Sequence, residues 1–448
     1  MMYILLYSVL TGSYAVSLFT EAVWLSYLTG LTAAVSVIVS FPKAGRLYKG
    51  TAAVFLATAL AAAWAEGLPV RAFPHYMTSM VMLIMVFYVL PFMNSVIVVG
   101  RYDQKVNKLL KTNISHLGQL YRRAAGVSFL IGTFLNIGTL PLVIHVLRRN
   151  LREQSAKLSA RFISSAMLRG YALCLVWSPM ELLVAISVDI TGAGYLKLLP
   201  LLLLFAGVFL LITLVSGRKY RHIKASLEAR PVNMSKVYRK IAGLSFFLIL
   251  FIASVVLLQR VLPVSFLETV ALVIVPFSFG WALAIGRIRS FLVYGLKNWK
   301  QRTASMQNYM VLFLSVGFFI SVLEETVWMD WLQYPFLFLE NSPVLLFVSI
   351  QVMFLALAMI GFHPIVTITL AGEMLQPLLG NIAPAGAAVV LITSGLSTVM
   401  AGPFNITVSL TGMLLQQNPY RISLWNLPAA LLFSSGGTVL ALLIQYVF

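Results

Sequence analysis

The sequence predicts an all-α polytopic membrane protein: about eleven transmembrane helices plus two re-entrant hairpins, arranged as an inverted-topology repeat. Three observations carry this. Of 448 residues, 60% are apolar and only 10% are charged, and the apolar residues fall in runs as long as a bilayer core is thick. Lys and Arg gather in a few segments between those runs. Two Gly/Pro motifs recur, each followed at nearly the same distance by a second proline motif.

Hydropathy places full spans at roughly 3–20, 22–41, 51–66, 76–99, 162–192, 196–216, 241–259, 264–286, 307–325, 385–415 and 427–447. The first run lacks a basic head and a small-residue cleavage site, so it reads as a retained helix. Segments 124–150 and 343–379 are left over. With a cytoplasmic N-terminus and neither segment crossing, 28 of the 32 Lys and Arg residues fall in cytoplasmic loops. Arg71, Arg169, Lys197 and Arg260 are the exceptions. Were 124–150 to cross, every later loop would invert and the bias would collapse. It therefore reads as a hairpin that enters and leaves on the cytoplasmic side, flanked by Arg122/Arg123 and Arg148/Arg149. Segment 343–379 has no Lys or Arg at either end and reads as its outer counterpart. The protein is expected in the plasma membrane, with its C-terminus outside.

The repeat is seen by setting "GTLPLVIHVL" (Gly138 to Leu147) against "GFHPIVTITL" (Gly361 to Leu370), then "SPMELLVAIS" (Ser178 to Ser187) against "GPFNITVSLT" (Gly402 to Thr411). Gly138 precedes Pro179 by 41 residues and Gly361 precedes Pro403 by 42. Because the two halves enter from opposite sides, the repeat is inverted, an arrangement that gathers binding groups near the bilayer midplane where helices break. Pro179 and Pro403 supply the breaks, each removing an amide donor inside a span. The chain divides accordingly into 1–123, scaffold spans and a cytoplasmic arm; 124–216, the first hairpin, broken span and following span; 217–342, a cytoplasmic loop, scaffold spans and outer arm; and 343–448, the second hairpin, broken span and last span.

One leading span, then twice a unit of three spans, hairpin, broken span and last span, resembles the ion transporter superfamily of secondary carriers, which includes the divalent anion/sodium symporters. Those symporters carry Ser-Asn-Thr motifs at the hairpin tips and breaks. The nearest equivalents here are Asn136 and Thr139, His363 and Thr367, Ser178 and Glu181, and Asn405 and Thr407, so substrate and sodium coupling do not transfer directly. The resemblance implies alternating access in which arms join a fixed scaffold to a moving transport domain. "RYDQKVNKLLKTNISHLGQLYRR" sets Tyr102, Val106, Leu109, Leu110, Leu117 and Leu120 on one helical face, as an interfacial amphipathic helix would. "WMDWLQYPFLFLEN" fits the outer interface. Both also read as ordinary linkers.

Among individual residues, Glu181 follows a helix-breaking proline deep in an apolar run, where a charge costs about 3 kcal/mol. It is either a proton carrier or a carboxylate bonded to freed amides. Arg169 either attracts an anionic substrate or snorkels to the cytoplasmic headgroups. Glu373 is a second titrating group or faces outer water. His363 binds an anion, titrates, or bonds the facing loop. Asn136, Gly138, Thr139, Ser178, Pro179, Thr367, Gly402, Asn405 and Thr407 complete a candidate substrate or ion site of hydroxyls, amides and helix ends, suited to a carboxylate or a sodium ion.

No phosphate-cradling loop, metal-ligand His pair or activated nucleophile appears, which argues against an enzyme. The net charge of +19 lies beside membrane segments, where lipid headgroups rather than nucleic acid are the expected partners. Cys174 is the sole cysteine, which leaves no internal disulfide. The expected function is secondary transport of a small organic anion by an elevator-like mechanism coupled to sodium or protons; no cofactor is expected, sodium is the one bound ion considered, and a homodimer is an assembly left open. The alternatives are a non-transporting scaffold or accessory subunit with a carrier fold, and a lipid-linked precursor flippase.

Overall fold

The computed structural model describes residues 1–20, 22–102, 114–227 and 234–447. Among these, ten helical segments are long and apolar enough to cross a membrane. Helices dominate because a bilayer core offers backbone amides no partner outside the chain. In order they are α1 (Met2–Ser17), α2 (Val23–Ser40), α3 (Arg46–Ala65), α4 (Phe73–Tyr76), α5 (Val81–Val99), α6 (Leu117–Leu135), α7 (Thr139–Asn150), α8 (Ala156–Leu175), α9 (Leu182–Thr191) and α10 (Tyr195–Ser216). There follow α11 (Met234–Val261), α12 (Phe266–Ala284), α13 (Ile288–Thr303), α14 (Gln307–Glu324), α15 (Trp328–Leu337), α16 (Pro343–Ile360), α17 (Pro364–Leu375), α18 (Pro384–Ala401), α19 (Ile406–Leu415) and α20 (Pro419–Val447). The chain forms two compact units: Met1–Val99 with Ala253–Phe338 and Glu373–Pro377, and Gly100–Ile252 with Leu339–Gly372 and Leu378–Phe448.

The first unit packs through small residues and buried hydroxyls, the usual adhesive between helices in lipid. A Cβ on Gly30 would lie 1.7 Å from the carbonyl oxygen of Pro74, so only glycine lets α2 approach the segment carrying α4. Tyr7 and Ser40 share a hydrogen bond of 2.6 Å, and Thr29 Oγ1 donates to Ser13 Oγ at 2.9 Å. Ser265 and Glu268 form a reciprocal capping box at the start of α12, and Tyr14 donates to the same carboxylate. The basic segment expected to be a loop after residue 286 is instead the 16-residue α13. It buries Phe291 and Gly295, and Asn298 Nδ2 donates to Ser95 Oγ at 3.0 Å, tying it to α5.

The second unit contains the repeat. The first hairpin has arms of 19 and 12 residues, α6 and α7, and the second has 18 and 12, α16 and α17. The first broken span has halves of 20 and 10 residues, α8 and α9, and the second has 18 and 10, α18 and α19. The following helices are α10 and α20. The broken span read as 162–192 thus begins six residues earlier than expected, at Ala156. The arm α16 is itself long enough to cross a bilayer, unlike a short re-entrant arm. The halves interlock: α9 and α8 pack on α18, and α7 packs on α19.

The amphipathic helix expected over 101–123 is corrected where it is visible. Residues 103–113 lie outside the described residues, which leaves Val106, Leu109 and Leu110 untested. Ile114–His116 form a strand, β1, paired antiparallel with β2 (Lys224–Leu227), and Leu117 and Leu120 belong to hairpin arm α6. The pairing supplies a partner for backbone that a helix would have satisfied internally, and Leu117 N donates to Ile223 O at 2.9 Å where helix takes over.

Candidate functional site

Four short helices, α7, α9, α17 and α19, begin at the two hairpin tips and the two breaks, and four others, α6, α8, α16 and α18, end there. Each interruption therefore presents the positive end of one helix and the carbonyl end of another. Proline alone does not make such a break. Pro91, Pro200, Pro276, Pro335 and Pro428 all lie inside continuous helices. At 176–181 and 402–405 the proline is joined by turn-forming neighbours, and the chain leaves the helix for six and four residues respectively.

At the first tip, Asn136 takes a positive φ of 48° with ψ −135°, a sparsely populated conformation for a residue with a Cβ. Its Oδ1 accepts from Tyr171 Oη of α8 at 2.5 Å, which pins the tip to the broken span. Gly138 does not need to be glycine: the nearest foreign atom to a Cβ there would be Leu135 Cβ at 3.9 Å. Thr139 is fully buried, and its hydroxyl has no hydrogen-bond partner among the described residues.

The first break runs from Val176 to Glu181. Ser178 N donates to Leu175 O and Glu181 N to Ser178 O, both at 3.1 Å, so Ser178 and Pro179 sit in consecutive turns. Glu181 is the N-cap residue of α9. Cys174 is buried and donates to Tyr171 O. Trp177 Nε1 is buried with no partner among the described residues, while the Trp177 carbonyl accepts from Tyr195 Oη at 2.7 Å.

At the second tip, Gly361 has φ 108°, which strains any residue with a side chain. His363 caps α17: its Nδ1 accepts from Ile365 N at 3.3 Å and its carbonyl from Thr367 N at 3.1 Å. Thr367 is buried. The second break is pinned by side chains. Asn405 Oδ1 accepts from Thr407 N at 3.2 Å, and Asn405 Nδ2 donates to Thr398 Oγ1 at 3.4 Å. Thr407 Oγ1 lies 2.7 Å from Val399 O and 2.9 Å from Asn405 Oδ1, and its single proton serves one of them. A Cβ on Gly402 would stand 2.8 Å from Thr398 O and 3.4 Å from Ala358 Cβ near the end of α16, so glycine lets the break close against the second hairpin.

Two other expected participants, Arg169 and Glu373, have partners of their own. Arg169 Nε donates to Asn426 Oδ1 at 3.3 Å and Nη2 to Trp425 O at 3.4 Å. Glu373 belongs to the first unit, whereas Asn136 through Thr139, Ser178 through Glu181, His363, Thr367 and Gly402 through Thr407 belong to the second. Its side chain shares a hydrogen bond with Glu324, and its carbonyl accepts from Gln333 Nε2 at 3.0 Å. Tyr171, Trp177, Ser394 and Thr398 had no sequence signal beyond being polar-tipped residues in apolar spans. Ser394 Oγ on α18 is, like Thr139 Oγ1, a buried hydroxyl without a partner among the described residues; Ser128, Thr303 and Ser315 carry others away from the tips and breaks.

No group of three or more His, Cys, Asp or Glu side chains placed to hold a metal ion occurs among the described residues. Hydroxyls, amide oxygens and helix ends are the polar groups that the tips and breaks offer.

Compared with known proteins, the chain matches no family model and no curated protein sequence. Among solved structures it is similar to the YdaH transporter of Alcanivorax borkumensis, described as having an unusual topology, at 17% sequence identity and a TM-score of 0.58. The match covers 85% of this chain and 90% of that one. The chain is thus a multi-pass membrane protein that shares its fold with a transporter.

Proposed function

We propose that the protein is a secondary active transporter that carries a small organic anion by an elevator-like alternation of access, coupled to sodium or protons. The second unit is the moving transport domain in this reading, because both tips and both breaks belong to it. The observation that carries it is the pair of orphaned donors at the first tip and first break, Thr139 Oγ1 and Trp177 Nε1. An indole N–H can only donate, and leaving a buried polar group unpaired costs about 1–3 kcal/mol. A carboxylate arriving at the N-terminus of α7 or α9 would give the orphaned donor there an acceptor and gain from the helix dipole, worth up to ~2 kcal/mol in partly buried geometry.

Glu181 is the coupling residue in this reading. A protonated Glu181 removes repulsion towards an anionic substrate, and an ionised one contributes to a cation site. Uptake of radiolabelled mono- and dicarboxylates into proteoliposomes under an imposed sodium gradient, and separately under a proton gradient, tests the proposal. Concentrative uptake driven by one gradient is expected, with Glu181→Gln abolishing the dependence on that gradient. Absence of uptake above protein-free vesicles under both gradients contradicts it and leaves the accessory-subunit and lipid-flippase readings.

A further inference from the structure

Where α7 ends, α8 begins and α19 ends, the second unit has an open cavity of about 730 Å³. Its polar wall is formed by His145, Arg148, Arg149, Arg152, Gln416 and Gln417, and its apolar floor by Ile163 and Leu415. None of these residues belongs to the tips or breaks described above. The volume lies in the range of small-molecule sites.

The three guanidinium groups do not have equal freedom. Arg148 Nη1 donates to Leu414 O at 2.9 Å, which anchors it across from α7 to the end of α19. Arg149 and Arg152 have neither an ion pair nor a hydrogen bond to any described residue. The nearest acidic side chain in sequence, Glu153, does not line the cavity. The N-terminus of α8 opens on the same space through Ala156, with Ser155 as its cap, adding the positive end of a 20-residue helix. Three like charges around one hollow repel each other until an anion enters. Planar guanidinium forks favour an oxyanion with two or more oxygens to share, and phosphate fits them in bidentate fashion.

We infer that this cavity binds a phosphate group, carried by an anionic phospholipid headgroup or by a soluble phosphate, on the face of the second unit that the arginine distribution makes cytoplasmic. The apolar floor accommodates the glycerol or acyl start of a lipid beside the phosphate. This is separate from the proposed transport site and does not depend on it.

The test uses the full chain in detergent, followed by thermal unfolding and by native mass spectrometry, with dioleoyl phosphatidylglycerol, inorganic phosphate and zwitterionic phosphatidylcholine added in parallel. Arg149→Gln/Arg152→Gln is compared with wild type and with Lys157→Gln, a basic residue of the same segment that does not line the cavity. Phosphatidylglycerol is expected to raise the melting temperature of wild type and of Lys157→Gln and to stay bound in the gas phase. The double variant, with an unchanged melting temperature in phosphatidylcholine alone, should need at least about tenfold more phosphatidylglycerol for the same rise. Stabilisation by inorganic phosphate as well identifies the soluble source, and stabilisation by phosphatidylglycerol alone identifies the headgroup. The inference is overturned if neither phosphate-bearing probe stabilises wild type, or if the double variant and Lys157→Gln respond alike.

Discussion

The two halves of the repeat share element lengths but treat the polar groups at their breaks differently. The second break is closed on itself: Asn405, Thr407, Thr398 and Gly402 bond one another or nearby carbonyls. The first tip and break are left open, with Thr139 Oγ1 and Trp177 Nε1 buried and unpartnered among the described residues and Glu181 four residues beyond Trp177. Similar backbones thus divide two tasks. The second break is held by its own side chains, and in the proposed function the first keeps donors available for a ligand. Stability and transport should therefore separate by half.

The largest effect is expected at the open half. Thr139→Val and Trp177→Phe each remove an orphaned donor while preserving most of the side chain. Loss of a hydrogen bond to a charged ligand is worth ~1.5–3 kcal/mol, or about 10- to 150-fold in uptake. Neither change should lower the melting temperature, since no protein partner is lost, and Thr139→Val should raise it slightly. At the closed half the pattern reverses. Gly402→Ala places a methyl group 2.8 Å from the Thr398 carbonyl oxygen, and overpacking of this kind costs about 1–3 kcal/mol, read as a lower melting temperature and reduced yield of folded protein.

Asn405→Ala removes an N-cap and should cost about 0.5–2 kcal/mol, while Asn405→Asp, which keeps the accepting oxygen for Thr407 N, should recover part of it. The smallest effect is expected for Arg169→Lys. Its bonds to Asn426 and Trp425 are long, at 3.3 and 3.4 Å, so uptake at saturating substrate should stay within about twofold of wild type, a difference below ~0.5 kcal/mol. A drop of tenfold or more would show that Arg169 meets the substrate.

The repeat was legible because its signals are local and come in pairs. Gly138/Gly361 and Pro179/Pro403 recur at spacings of 41 and 42 residues, and the positions of Arg122, Arg123, Arg148 and Arg149 argued against a simple crossing of 124–150. The turn at Asn136–Gly138 fits a hairpin there. The reasons behind the pattern were less legible. Gly361 needs its positive φ, but at the first tip Asn136 takes that role and Gly138 does not. Five prolines inside unbroken helices show that a break needs turn chemistry on both sides, not proline alone.

Other features depend on distant neighbours and could not be read in one dimension. α13 was hidden because its basic residues satisfied the loop reading, while its anchor, Asn298 on Ser95, lies 203 positions away. Ile114–His116 became a strand through a partner more than 100 residues on. Trp177 in an apolar run looks like any interfacial or core aromatic. Only the surroundings of its indole nitrogen reveal a donor without an acceptor.

The most direct test of the open-half account is side-by-side proteoliposome uptake by wild type and Thr139→Val/Trp177→Phe, with melting temperatures measured on the same preparations. The account predicts gradient-driven accumulation of a carboxylate by wild type, its loss in the double variant, and melting temperatures that agree. Undiminished uptake by the double variant, or no accumulation by wild type under either a sodium or a proton gradient, would contradict it.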